Sequence, residues 1–257
     1  MCRLVFGSVV LGVGLLMAAP AMAQERSSLS GNVALTSDYV FRGISQTGGN
    51  PAVQGGADYT HGPFYVGAWA SNIDFEELGA GSGIELDLYG GVRHNVGPVT
   101  LDAGVIGYFY PGVRDIQAGG GVEGELDYFE GYLKATASPT DAWSVGAAIY
   151  YSPEFSGETG SAYYAEANTA YAVNDAISLS GAIGLQSIDD VSGVFPGSYS
   201  DEYVTWNAGA TYTAHGFAID LRYTGADIEA SDDLIAQAFT TEARADDRVV
   251  LTIKRAL

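Results

Sequence analysis

The stretch "GIELDLYGGVRHNVGPVTLDAGVIGYFY", Gly83 to Tyr110, holds two alternating runs on either side of a tight reversal. Before "NVGP", Ile84, Leu86, Leu88 and Val92 alternate with Glu85, Asp87, Tyr89 and Arg93. After it, Val99, Leu101, Ala103, Val105 and Phe109 alternate with Thr100, Asp102 and Gly104. Successive side chains of a strand point to opposite faces, so each run has an apolar side and a polar side. Asn, Gly and Pro supply the backbone angles of a reversal. This is an antiparallel hairpin with one side suited to hydrocarbon and the other to water. A soluble two-sheet sandwich supplies that contrast, and so does a barrel with lipid outside and a hydrated interior.

Alternation of this kind runs along the whole chain. It predicts strands near Leu29 to Gly43, Ala52 to Thr60, Phe64 to Ile73, Gly83 to His94, Val99 to Tyr110 and Leu126 to Ala137. Six more are expected at Ala142 to Ser152, Ala162 to Tyr171, Ala176 to Gln186, Tyr203 to Thr213, Phe217 to Asp227 and Arg248 to Leu257. The links between them alternate in length. "HGP", "NVGP", "SPTD", "VND" and "AHG" are short, whereas "NIDFEELGAGSG", "PGVRDIQAGGGVEG", "SIDDVSGVFPGSYSDE" and Ile228 to Asp247 are long. An up-and-down meander puts alternate turns at opposite ends, so this asymmetry makes the two ends different. Outer-membrane barrels have tight turns on the periplasmic side and longer outer loops. Twelve strands is an even number, and runs of about ten residues match a tilted crossing of the bilayer. The expected fold is an all-β, 12-stranded antiparallel up-and-down transmembrane barrel.

A lipid-facing Arg or Lys near the bilayer midplane costs roughly 2 to 4 kcal/mol, so the charged faces belong inside. Strand parity then nominates Asp38, Arg42, Glu85, Asp87, Arg93, Asp102, Glu130, Lys134, Glu166, Asp220, Arg222 and Lys254 as pore-lining residues. Charges on a channel wall set which ions or solutes pass. Acidic members exceed basic ones modestly, which points to a weak cation preference. The competing expectation is that these side chains pair across strands and plug a narrow barrel. In "ALTSDYVFRG", Ala34 to Gly43, the same parity sends Tyr39 and Phe41 to the acyl chains or the outer boundary, and Asp38 and Arg42 to the lumen.

The N-terminus carries Arg3, an apolar run from Leu4 to Met17, and small residues at Ala21 and Ala23. That is the layout of a secretory signal cleaved after Ala23, and the run is shorter than the roughly 20 residues a spanning helix needs. Residues 1–23 are therefore read as a signal peptide and 24–257 as the barrel domain. Cys2, the single cysteine, falls in that leader, which leaves the mature chain without disulfides or cysteine ligands.

Charged residues make up 16% of the chain, below the roughly 25% of soluble domains, and Gly, at 35 residues, is about twice its usual share. Tyr occurs 17 times, which suits a membrane–water boundary. The formal net charge of −20 excludes a nucleic-acid partner, because nothing offsets the phosphate repulsion. It also disfavours adhesion to anionic headgroups without divalent cations.

The stretch "SLSGNVALTSDYVFRGISQTGGNPAVQGGADY" with "FYVGAWASNIDF", together with "GVIGYFYPG" and "YYSPEFSGETGSAYY", resembles the proteobacterial family of TorF-like porins. These segments span most of the chain after residue 23. The resemblance implies an outer-membrane β-barrel with a channel role, and it brings no catalytic residues with it. The last strand, "RVVLTIKRAL", departs from the barrel habit of ending in Phe or Trp, since it ends in Leu257.

Barrels of this size include a phospholipase with serine and histidine on its outer wall. Here His61 and His215 lie in short turns and His94 at the edge of one, and no serine has a GxSxG context. The expectation is a protein that is not an enzyme and uses no cofactor. Glu76, Glu77, Asp189, Asp190, Asp201, Glu202, Asp232 and Asp233 fall in long links. Their oxygens suit Ca²⁺ or Mg²⁺ bridging to lipopolysaccharide, but no spaced loop motif is present, so they are read as solvated charge and no metal site is expected. "DDLIAQAFTTEAR" is expected to form a short helix against the pore mouth. The expected function is passive diffusion of small hydrophilic solutes or ions across the outer membrane, with outer-membrane lipid and lipopolysaccharide as surroundings. A non-conducting structural or adhesive barrel, and a secreted sugar-binding sandwich, are the other readings.

Overall fold

Strands that turn one face to hydrocarbon must close into a barrel, because no water is there to satisfy an open edge. Here they do. The computed structural model describes residues 27–76, 81–113, 116–117, 123–189, 202–228 and 242–257, so the segment read as a signal peptide lies outside the described residues. In chain order the elements begin with β1 (Ser28–Thr36), two short strands β2 (Val40–Phe41) and β3 (Ile44–Ser45), then β4 (Ala52–His61), β5 (Phe64–Phe75) and β6 (Gly81–Val96). β7 (Val99–Phe109), the short β8 (Ile116–Gln117) and β9 (Glu123–Gly124), β10 (Tyr128–Ala137), β11 (Trp143–Ser152) and β12 (Ala162–Ala172) follow. β13 (Ile177–Ile188), β14 (Glu202–Ala214), β15 (Phe217–Ala226), a one-turn helix Glu242–Ala245 and β16 (Arg248–Ala256) complete the order.

Twelve of these strands form one closed antiparallel barrel in which each long strand pairs with its neighbours in sequence and β1 pairs with both β4 and β16. This excludes the two-sheet sandwich. Each expected strand lies within two residues of an observed one at every end but one. The tight links, such as Gly62–Pro63 and Gly97–Pro98, share one rim with Ser28 and Leu257, and the strand ends that the long links join lie at the other.

The outer surface is apolar over its whole girth. Val66, Leu88, Val105, Leu133, Ile149, Ile183, Leu221 and Val249 are exposed, Val105 by 63% and Ile183 by 58%. A continuous apolar surface on this scale requires a non-aqueous neighbour. Aromatic rings border it at both ends: Tyr59, Phe64, Trp143, Tyr171, Tyr212 and Phe217 on the short-turn side, and Phe129, Tyr151, Tyr163 and Tyr223 on the other. From Trp143 to Tyr151 the chain rises about 26 Å, or about 20 Å along the barrel axis at a 35–45° tilt, close to the apolar band of an outer-membrane barrel.

The exception among the strand ends is the first. β1 stops at Thr36, seven residues short of the expected Gly43, and the chain leaves the wall. Tyr39, expected to face lipid, is 3% exposed inside the barrel, and Phe41 packs there against Tyr108. Beyond Thr36 parity no longer separates two faces: Leu35 faces outward, whereas Asp38, Tyr39, Phe41 and Arg42 all lie inside, where the aromatic pair meets rings of the inner wall rather than acyl chains. Of the run Asp232 to Arg244 expected to be helical, residues 232–241 lie outside the described residues and the remainder falls in the one-turn helix Glu242–Ala245.

Placing a cation on the outer face tests the assignment of faces. Leu88→Arg, at mid-strand in β6, is expected to cost about 2 to 4 kcal/mol, measured by reversible urea unfolding in lipid vesicles.

Candidate functional site

The chain between β1 and β4 crosses the bore. Ser37 still donates its N–H to Leu251 of β16 at 2.9 Å, and the next residue turns inward. Asp38 pins this exit. Its carboxylate accepts from Ser45 Oγ at 2.6 Å, Thr47 Oγ1 at 2.8 Å and Arg248 Nη1 at 2.6 Å. β2 and β3 then form a hairpin closed by Arg42 and Gly43, whose φ values of 46° and 83° are those of the type I′ turn that suits a two-residue hairpin. A side chain at Gly43 would meet Ala226 Cβ at 2.6 Å, so the tip presses against β15. The returning arm is fastened where Asp74 N–H donates to Gln46 O, at 2.9 Å. Buried Arg244 clamps the same place by donating to Ser45 O at 3.1 Å and Asp74 O at 2.9 Å.

Arg42 at the tip is the central contact. Its guanidinium donates to Glu130 Oε2 of β10 at 2.6 Å and to Gln186 Oε1 of β13 at 2.8 Å. The rings of Tyr164, Phe41 and Tyr150 lie 4.3, 4.8 and 5.2 Å from it. An arginine satisfies two acceptors and several ring faces at once because its donors are planar and its charge is delocalised. Tyr39 donates its hydroxyl to Glu85 Oε1 at 2.7 Å and packs edge-on against Trp69 at 5.3 Å. Around this hairpin the wall of β5, β6, β7 and β10 supplies Trp69, Ile73, Phe75, Ile106, Tyr108 and Tyr128 as a packed core inside the barrel.

Nearer the short-turn rim the interior is polar and tied across strands. Arg93 Nε donates to Asp102 Oδ2 at 2.9 Å and stacks over Tyr65 at 4.0 Å. Tyr132 and Tyr65 hydroxyls lie 2.5 Å apart, and Tyr65 passes the chain on to Asp102. The glycines opposite make room for these rings, since a Cβ at Gly91 or Gly104 would lie 2.5 Å from the Tyr65 or Tyr132 hydroxyl oxygen. Arg222 bridges Asp220, Asn207 and Ser180 at 2.6 to 3.0 Å. Lys134 sits over the Tyr132 ring at 4.3 Å, and Glu166 accepts from Tyr164 and Asn168. Lys254 is half-buried and makes no hydrogen bond or ion pair with another described residue.

The twelve nominated side chains are thus all turned inward, but they divide by position. Asp38 and Arg42 ride on the hairpin, and the other ten stand on the wall. The structure brings together Arg42 with Glu130, Arg93 with Asp102, Asp220 with Arg222, and Glu85 with Asp87 on one strand face. Reading by parity missed Arg248, the partner of Asp38, because it begins its strand. It passed over Gln186, which carries no charge, and Asp58, which accepts from Tyr89 at 2.7 Å amid small residues. Arg244 lies outside every strand, where parity is silent. Of the histidines, His61 Nδ1 is 3.0 Å from Ser27 Oγ at the short-turn rim, and His94 and His215 are exposed.

A closed antiparallel barrel with an apolar belt outside and a charged, partly filled interior is the architecture of outer-membrane porins and channels. The chain belongs to the Gcw_chp family, described as bacterial proteins of unknown function, whose model matches residues 20–257. Similar solved structures include the KdgM porin in complex with disordered oligogalacturonate, at TM-score 0.53 and 8% identity over 89% of this chain and 98% of that one. The NanC porin aligns with the same TM-score at 9% identity over 89% and 98%. The COG4313 outer membrane channel from Pseudomonas putida F1 aligns at TM-score 0.50 and 13% identity over 91% and 96%. At these identities the likeness is one of fold. No curated protein matches the chain by sequence.

Arg42 and Glu130 are both buried, with side chains 5% and 1% exposed, so removing the cation alone strands a carboxylate. Arg42→Met is expected to lose about 3 to 5 kcal/mol. Adding Glu130→Gln to it is expected to recover most of that loss, and a double-mutant cycle in urea measures the coupling.

Proposed function

We propose that the chain is an outer-membrane channel through which small hydrophilic solutes or ions diffuse, and that the hairpin between β1 and β4 sets how wide the passage is. The observation that carries this reading is the division of the bore. Toward the long-link rim the hairpin crosses the bore to reach β10, β13 and β15, packed against the aromatic cluster of β5, β7 and β10. Below it, the inner face of β4, β15 and β16 carries small or polar, partly exposed side chains, among them Gln54, Gly56, Ala218 and Thr252, which are compatible with a hydrated path.

In this reading residues 1–23 direct export and are removed, the short-turn rim and both ends of the mature chain lie in the periplasm, and the long links face outward among lipopolysaccharide. The resemblance to TorF-like porins is part of the same proposal. Ten of the twelve inward charges line the wall, and Asp38 and Arg42 line the hairpin. Because Arg42, Arg93, Arg222 and Arg248 are each paired with a carboxylate, their fields are largely cancelled at short range. The proposed selectivity is therefore a weak cation preference from the remaining acidic groups, with size as the main filter.

Thr36 and Ala52 are ladder partners, so replacing residues 37–51 by Asn-Gly closes the wall with a two-residue turn and leaves out the hairpin. In planar bilayers this variant is expected to conduct at least twofold more than the native chain. Silence from both proteins across a range of salts would remove the channel reading.

A further inference from the structure

Glu85 and Asp87 are neighbours on the inner face of β6, and both are buried, Asp87 completely. Glu85 accepts from Tyr39 of the hairpin. Neither carboxylate oxygen of Asp87 has a hydrogen-bond donor among the described residues, although the side chain lies within hydrogen-bonding reach of Glu85. The groups around the pair do not resolve this. They are Tyr39 from the hairpin, Tyr89 on the same strand, Tyr108 on β7 and Tyr110 beyond it, and Tyr128 and Glu130 on β10. Arg42, the cation that reaches this cluster, is already held by Glu130 and Gln186. Two buried carboxylates in contact, without a cation of their own, cannot both be ionised. A proton on Asp87 removes the conflict, because its O–H then donates to Glu85 and supplies the missing bond.

We propose that Glu85 and Asp87 share one proton, and that this proton keeps the hairpin seated, so that deprotonation releases the plug. The inference rests on the hairpin being the plug of the proposed channel. When base takes the proton, the Asp87 O–H bond breaks and the proton leaves as water. Two adjacent negative charges then stand beside Glu130 in a buried site. Repulsion within this cluster is relieved only by admitting water, which displaces Tyr39 and with it the hairpin. Closure at neutral pH and opening at alkaline pH follow.

The test needs no conduction, so its failure is distinguishable from failure of the channel reading. In a Cys2→Ser background, infrared spectra of the folded protein are expected to show a protonated carboxyl band at neutral pH. The band should be missing in Asp87→Asn and should vanish from the parent as pH rises. In parallel, Ile44→Cys near the hairpin tip is expected to react at least tenfold faster with a water-soluble thiol reagent once the band has gone. With Asp87→Asn added, the amide donates to Glu85 at every pH and the rate should stay at its neutral value. Absence of the band at neutral pH, its survival in Asp87→Asn, or thiol reactivity that ignores its loss would each overturn the proposal. Should Asp87→Asn not fold, the parent spectra and Ile44→Cys still decide.

Discussion

Closure of the hydrogen-bonded ladder between β1 and β16 is the constraint on which this structure depends. A sheet with its apolar face turned to hydrocarbon cannot leave strand edges open, because no water is present to satisfy them. The seam runs from Asn32 opposite Ala256 to Thr36 opposite Thr252, and Leu257 N–H adds a bond to Gly31 O. β1 ends at Thr36, opposite Thr252, whereas β16 reaches on to Arg248, so the chain leaves the wall where the seam ends. The Asp38–Arg248 ion pair sits at that point of departure. It ties the first inward residue of the hairpin to the first residue of the last strand, so that closure of the wall and anchorage of the plug share a residue pair.

Once the wall is closed, the interior has to be filled or wetted, and the composition shows how this is done. Tyrosine falls into two populations. Tyr59, Tyr151, Tyr163, Tyr171, Tyr212 and Tyr223 stand exposed on the outer belt, while Tyr39, Tyr65, Tyr108, Tyr128, Tyr132 and Tyr164 are buried within. The inner rings lie against glycines of adjoining strands, as Tyr65 does on Gly91 and Tyr132 on Gly104. The glycine and tyrosine excesses therefore have a common cause: large flat side chains can lie along the inner wall only where the neighbouring strand has no Cβ to obstruct them. Their hydroxyls then reach the carboxylates that parity places inside, which lowers the cost of burying them.

Most of the wall was legible in the sequence and the plug was not, for one physical reason. A period of two reports which side chains share a face and not what lies opposite that face. For Gly83 to Tyr110 the distinction did not matter, since both flanking strands continue the wall. For Ala34 to Gly43 it did, because Tyr39 and Phe41 are as well accommodated by Trp69 and Tyr108 as by acyl chains. The signal that separates the two is local. Arg42-Gly43 is a dipeptide able to take two successive positive φ values, and a reversal there is incompatible with a continuous strand. The partners that make the hairpin stay, Glu130, Gln186 and Arg244, are 88, 144 and about 200 residues away in sequence, and no local pattern connects them.

The manner of anchoring bears on how such a plug can move. Its base is held by several contacts that do not involve the bore: Asp38 to Arg248, Gln46 to Asp74, and Arg244 to Ser45 and Asp74. Its inner part is held by Arg42 on Glu130 and Gln186, by Tyr39 on Glu85, and by ring contacts. Both charge-bearing contacts of the inner part are to carboxylates on the wall, so they depend on ionisation states in a way that the backbone contacts at the base do not. Packed interiors shift between discrete arrangements rather than deforming smoothly. The proposed release therefore concerns the electrostatically held tip alone: it would leave the base fixed and the strands undisturbed.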